Sequence, residues 1–117
     1  MKVSDDDQVL VTIITDGMEN SSREYTGASV CKIVKRLRAK GWTFVYIGAN
    51  QDAVEVAKRM SIDNAMNFQA THEDTRRMWD DYKGSTSVYY EKVRRSRMRG
   101  ERVFEDKEFF NKEIQEF

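Results

Sequence analysis

Proline is absent from this 117-residue chain, and cysteine and histidine occur once each, as Cys31 and His72. Without proline, collagen-like, mucin-like and proline-rich linker chains are disfavoured. One cysteine excludes an intrachain disulfide and a cysteine-based zinc site within one chain. One histidine leaves no Ser-His-Asp arrangement to defend, and His72 sits beside Glu73 and Asp74 in the first turn of a predicted helix, where a solvated residue is expected. A Gly-x-Gly-x-x-Gly pattern is also missing, so dinucleotide binding has no sequence basis. The expectation is a chain that is not an enzyme.

Charge of one sign is not in excess: Lys and Arg number 20, Asp and Glu number 20, and the formal net charge is zero. The global electrostatic argument for nucleic acid or an anionic membrane fails on that balance. No apolar run approaches the roughly 20 residues of a membrane span, and Met1 to Asp7 has no apolar signal core. A cytoplasmic protein without a membrane partner is expected. What is present suits an ordered chain: the apolar set reaches 39% and aromatics 11%, too rich for disorder, despite a mean hydropathy of -0.75.

Val9 to Ile14 is a β-branched apolar run without alternation. Continuous apolarity predicts a strand covered on both faces, as in a parallel sheet. It ends at Thr15-Asp16-Gly17, and a polar loop to Tyr25 follows. A helix opens at Thr26 or Gly27, with Val30, Ile33, Val34 and Leu37 as its stripe. Gly41 suits its end, since glycine tolerates the left-handed conformation there. Cys31 lies beside the stripe and reads as a partly buried, inert thiol.

Trp42 to Ile47 predicts a second strand, ending at Gly48-Ala49-Asn50. Gln51 or Asp52 caps a short helix with Val54, Ala57 and Met60 on one side. Asn50 and Asp52 both suit helix-cap roles. Asn64 to Ala70 is a weaker strand expected at a sheet edge. Thr71 with Asp74 fits a hydroxyl cap for a long helix, in which Gly84-Ser85-Thr86-Ser87 is a candidate break into two. Trp79, Tyr89 and Tyr90 read as packing residues. Phe104 to Phe117 reads as a terminal helix that docks elsewhere; its five acids against Lys107 and Lys112 give a net of -3.

The order β-α-β-α-β-α predicts a three-layer α/β/α, Rossmann-like fold with a short parallel sheet and right-handed crossovers. A core over 1–70 and a C-terminal helical segment over 71–117 are expected. Chemistry in such sheets sits beyond the strand C-termini, here at Thr15-Asp16-Gly17 and Gly48-Ala49-Asn50.

Ile13-Ile14-Thr15-Asp16-Gly17-Met18-Glu19-Asn20-Ser21-Ser22, a helix, then Gly41-Trp42 through Gly48-Ala49-Asn50-Gln51-Asp52-Ala53 resembles the C-terminal half of a von Willebrand factor type A domain. Bacterial and phage cytoplasmic members are the nearest in pattern, and the likeness covers Val9 to Ala70. The resemblance implies a truncated domain of that type with extra C-terminal helices. It also implies part of a metal-ion-dependent adhesion site, in which a divalent cation, usually magnesium, recruits an acidic group of a partner. Asp16 matches the Asp of the Thr-Asp-Gly turn, acting through a water, and Glu19 is a second, weaker candidate. The family's Asp-x-Ser-x-Ser is absent, so the site is incomplete in this chain; either the sequence is a fragment or another chain supplies the missing half.

The function expected on this reading is protein recognition near Thr15, Gly17 and Asn50. The first strand would have an exposed edge, so a homo-oligomer is expected, a two-fold dimer that pairs sheet edges or exchanges the C-terminal helices. The alternative is a phosphate- or nucleic-acid-binding accessory role for Arg94, Arg95, Arg97 and Arg99, in a stretch from Glu91 to Arg102 where six basic residues face two acidic ones.

Overall fold

A computed structural model describes residues 7–15, 27–49, 52–101 and 104–111. Strand β1 (Leu10–Thr15), helix α1 (Gly27–Arg38), β2 (Thr43–Ala49), α2 (Ala53–Arg59), β3 (Asn64–Phe68) and α3 (His72–Met98) follow one another. The strands form one parallel sheet in the order β1-β2-β3.

Side chains alternate across β2, and this divides the core into two halves. Phe44 and Tyr46 pack with Val34 of α1 and Ala53 and Ala57 of α2. Val45 and Ile47 face the other way, onto Met78 and Tyr89 of α3 and onto Phe109. The result is a three-layer α/β/α arrangement. Strand order β1-β2-β3 with α1 and α2 on one face is what two successive crossovers of the same hand require.

β2 is buried along its whole length, whereas β1 is only half-buried. Both faces of β1 still meet helices, as the apolar run predicts: Val11 and Ile13 pack toward α1 and α2, and Leu10 and Thr12 toward α3. The partial exposure comes from its edge position. Among the described residues β1 has one strand neighbour, and its Ile14 is 42% exposed.

The three helices end in the same way. Gly41 (φ 92), Ser61 (φ 61) and Gly100 (φ 80) each adopt the left-handed conformation just past a helix. The following amide then reaches back to a carbonyl of the last turn: Trp42 to Leu37 at 3.1 Å, Ile62 to Ala57 at 2.8 Å and Glu101 to Ser96 at 3.1 Å. N-termini are capped by Asp52, which accepts from the Glu55 amide at 3.2 Å, and by Thr71, which accepts from the Asp74 amide at 3.1 Å.

Gly84 to Ser87 does not break α3. Met78, Ser85, Tyr89 and Ser96 are all buried, and their spacing returns to one side of a helix. Packing along that stripe outweighs the roughly 1 kcal/mol that an interior glycine costs. Trp79 and Tyr90 depart from the packing role read for them: they are 41% and 64% exposed, while Tyr89 is 2% exposed.

Residues 104–111 are not helical. They run across the N-terminal ends of the strands, and the remainder of the expected terminal helix lies outside the described residues. Phe109 is fully buried among Val45, Ile47, Met78 and Tyr89, a burial of about 2 kcal/mol. The segment's backbone is satisfied by side chains instead of a helical ladder. Gln8 donates to the Phe104 carbonyl at 2.6 Å and accepts from its amide at 3.1 Å. Thr43 accepts from the Asp106 amide at 2.9 Å.

No described helix is long and apolar enough to cross a membrane.

Candidate functional site

The parallel register sets Thr15 beside Gly48 and Ala49 beside Phe68. All three strands therefore end at one rim of the sheet. Thr15 is half-buried there, and Gly48 and Ala49 are buried. Asp16, Gly17, Glu19 and Asn50, singled out from the sequence, lie outside the described residues. Of the rim residues read from the sequence, Thr15, Gly48 and Ala49 are the ones whose positions are described.

β3 adds to this rim what the sequence reading did not include. Asn67 accepts the amide of Ala53 on its Oδ1 at 2.6 Å. That bond fixes the start of α2 against the end of β3. Beyond Phe68, a shallow depression of about 410 Å³ is lined by Gln69, Thr71, Glu73, Asp74 and Arg77. Asp74 accepts from the Gln69 amide and pairs with Arg77. The backbone amide of Gln69, and then Arg77, hold its carboxyl below the usual carboxylate range. A signal for this depression existed in Thr71-x-x-Asp74, which marked the helix start without revealing the inward turn of Asp74 toward Gln69.

The described part of the rim does not fit a magnesium ion. Such an ion wants near-octahedral oxygen coordination with one or two carboxylates. Among the described residues no group of three or more His, Cys, Asp or Glu could hold a metal. The Asp74 carboxylate is engaged by Gln69 and Arg77, and the Asn67 amide oxygen by Ala53.

Arg94, Arg95 and Arg97 are exposed on the last turns of α3, and Arg99 is exposed just past its end. Glu91 accepts from Arg94 at 3.0 Å and from Arg95 at 3.1 Å. These two guanidinium groups hold the Glu91 carboxyl down at about 2. Arg99 pairs with Glu101 at 3.1 Å. Local carboxylates thus offset much of the positive charge counted from the sequence, with Arg94, Arg95 and Arg99 held by Glu91 and Glu101.

Cys31 is half-buried, with its Sγ 2.9 Å from Ser61 Oγ. His72 is exposed at the first position of α3.

The opposite rim, at the strand N-termini, is structural. Asn64 (6% exposed) and Thr43 (fully buried) face the segment 104–111 there. Lys92 pairs with the buried Asp106 at 3.0 Å. Gln8 also donates to the Tyr89 hydroxyl at 3.0 Å.

Comparison with protein families, with curated proteins and with solved structures returned no match.

Proposed function

We propose that this chain is a protein-interaction module of the kind formed by the C-terminal half of a bacterial or phage cytoplasmic von Willebrand factor type A domain. It binds a partner at the strand C-termini and does not catalyse a reaction. The observation that carries this reading is the pairing of Thr15 with Gly48. It sets the last residues of β1 and β2 side by side, at the edge of the sheet where α/β folds of this layout place their ligands, and the sequence continues from them into Asp16-Gly17 and Asn50. In this reading Asp16 and Glu19 are remnants of a cation site, weak because its hydroxyl ligands are missing from the sequence.

Manganese titration followed by NMR tests the reading. Weak paramagnetic broadening confined to the amides of Thr15, Gly48 and their neighbours is expected, and Asp16→Ala should remove it. Broadening scattered over the surface carboxylates, or unchanged in Asp16→Ala, would contradict it.

The phosphate- or nucleic-acid reading is the less supported one, because Glu91 and Glu101 already occupy Arg94, Arg95 and Arg99. Its own test is salt-dependent oligonucleotide binding that Arg95→Ala with Arg97→Ala abolishes.

A further inference from the structure

We propose that the outer edge of β1 docks the β1 of a second copy of this chain, antiparallel, about a two-fold axis at Thr12. The inference goes beyond the rim reading and does not depend on it.

The edge follows from the ladder. The Val9 carbonyl accepts from the Thr43 amide at 2.9 Å. A strand turns the backbone groups of every second residue toward one neighbour. Val9, Val11, Ile13 and Thr15 therefore face β2, and Leu10, Thr12 and Ile14 aim their N–H and C=O groups outward. Among the described residues no strand lies on that side. Exposed edges are usually guarded by charge, proline or a bulge. Gln8 to Thr15 contains neither a charged residue nor a proline.

Three properties point to a second copy as the occupant. The edge is uncharged, so two copies bring no like charges together. It is balanced about Thr12: antiparallel pairing sets Leu10 opposite Ile14, Val11 opposite Ile13 and Thr12 opposite itself. Apolar and Thr–Thr pairs of this kind stabilise sheets. Symmetry then selects the direction. Antiparallel pairing opposes outward residues to outward residues, whereas a parallel ladder sets them against the gaps between them. Two identical edges related by a two-fold therefore pair well only antiparallel.

Helix α3 extends the contact. The Tyr82 hydroxyl lies 2.7 Å from Thr12 Oγ1, and the Trp79 ring meets the Tyr82 ring edge-on at 6.0 Å. Trp79 and Ile14 are themselves exposed, at 41% and 42%, and add apolar surface on α3 and on the edge strand.

Sedimentation of the full chain over a micromolar concentration series tests the proposal. A monomer–dimer equilibrium is expected. Thr12→Pro removes an outward donor and spares the β1–β2 ladder, and Ile14→Lys places a charge opposite Leu10 of the second copy. Both should shift the equilibrium to monomer by tenfold or more, with circular dichroism unchanged. A wild-type monomer at every concentration would overturn the proposal, as would a dimer that persists in both variants. Should the variants not fold, a mixed sample of differently isotope-labelled wild-type copies decides: intermolecular NOEs between Leu10 and Ile14 support the pairing, and intermolecular NOEs elsewhere refute it. None of these results bears on manganese binding at Asp16, so the two proposals fail separately.

Discussion

Asn64, the first residue of β3, donates from Nδ2 to the carbonyl oxygen of Asp106 at 2.7 Å. The same amide donates to the Phe44 carbonyl at 3.1 Å, and its Oδ1 accepts from the Phe109 amide at 3.1 Å. One buried side chain therefore ties β2, β3 and the segment 104–111 together. Replacing it leaves buried backbone groups without partners, at about 1–3 kcal/mol each. Asn64→Leu, which keeps the branching of the side chain and removes its hydrogen bonds, should lower unfolding free energy by about 2–4 kcal/mol. Urea denaturation checks this, and a loss below about 0.5 kcal/mol would show that the segment does not depend on Asn64.

The non-glycine helix end at Ser61 gives a prediction of opposite sign. Its φ of 61 costs an L-residue roughly 1 kcal/mol that glycine does not incur. Ser61→Gly should raise stability by up to about 1 kcal/mol, less whatever the Cys31 contact contributes. At Gly100 a Cβ would meet nothing within 4 Å. Gly100→Ala should therefore destabilise by the backbone term alone, about 1 kcal/mol. Thermal unfolding of the two variants checks both signs.

Much of this architecture was legible in the chain. Gly41, Asp52 and Thr71 marked helix ends through chemistry confined to a few neighbouring residues, and the apolar runs around Ile13 and Tyr46 marked strands. The errors lie where distant residues decide. Phe104 to Phe117 reads as a terminal helix, but Gln8, Thr43 and Asn64 satisfy residues 104–109 from 42 to 96 positions away, and no local pattern announces that. Gly84-Ser85 looked like a break because its partner surface is assembled only in the fold. At the rim, the end of β1 at Thr15 was legible in the apolar run that stops there. The depression beside Gln69 was not, because it depends on how Asp74 turns back toward the chain.

Stability should also fall in alkali. Burial is the leading cause that holds the Tyr89 phenol above its ordinary 10.0. A group whose folded value is raised contributes stability that is fully present below the unfolded value and is lost as pH climbs through the folded one. Unfolding free energy should therefore decline above about pH 10, more steeply in the wild type than in Tyr89→Phe. Denaturant titrations of the two proteins across that range isolate the Tyr89 contribution from that of the lysines, and parallel curves would show that it is absent.

Hydrogen exchange at single amides of β1, measured at low and high protein concentration, tests the unfinished sheet most directly. Val11 and Ile13 should be protected at both concentrations, because their amides face β2. Leu10, Thr12 and Ile14 should exchange quickly when dilute and become protected as concentration rises. Equal protection of all five amides in dilute solution would contradict the account, since the edge would then already be covered within a single chain.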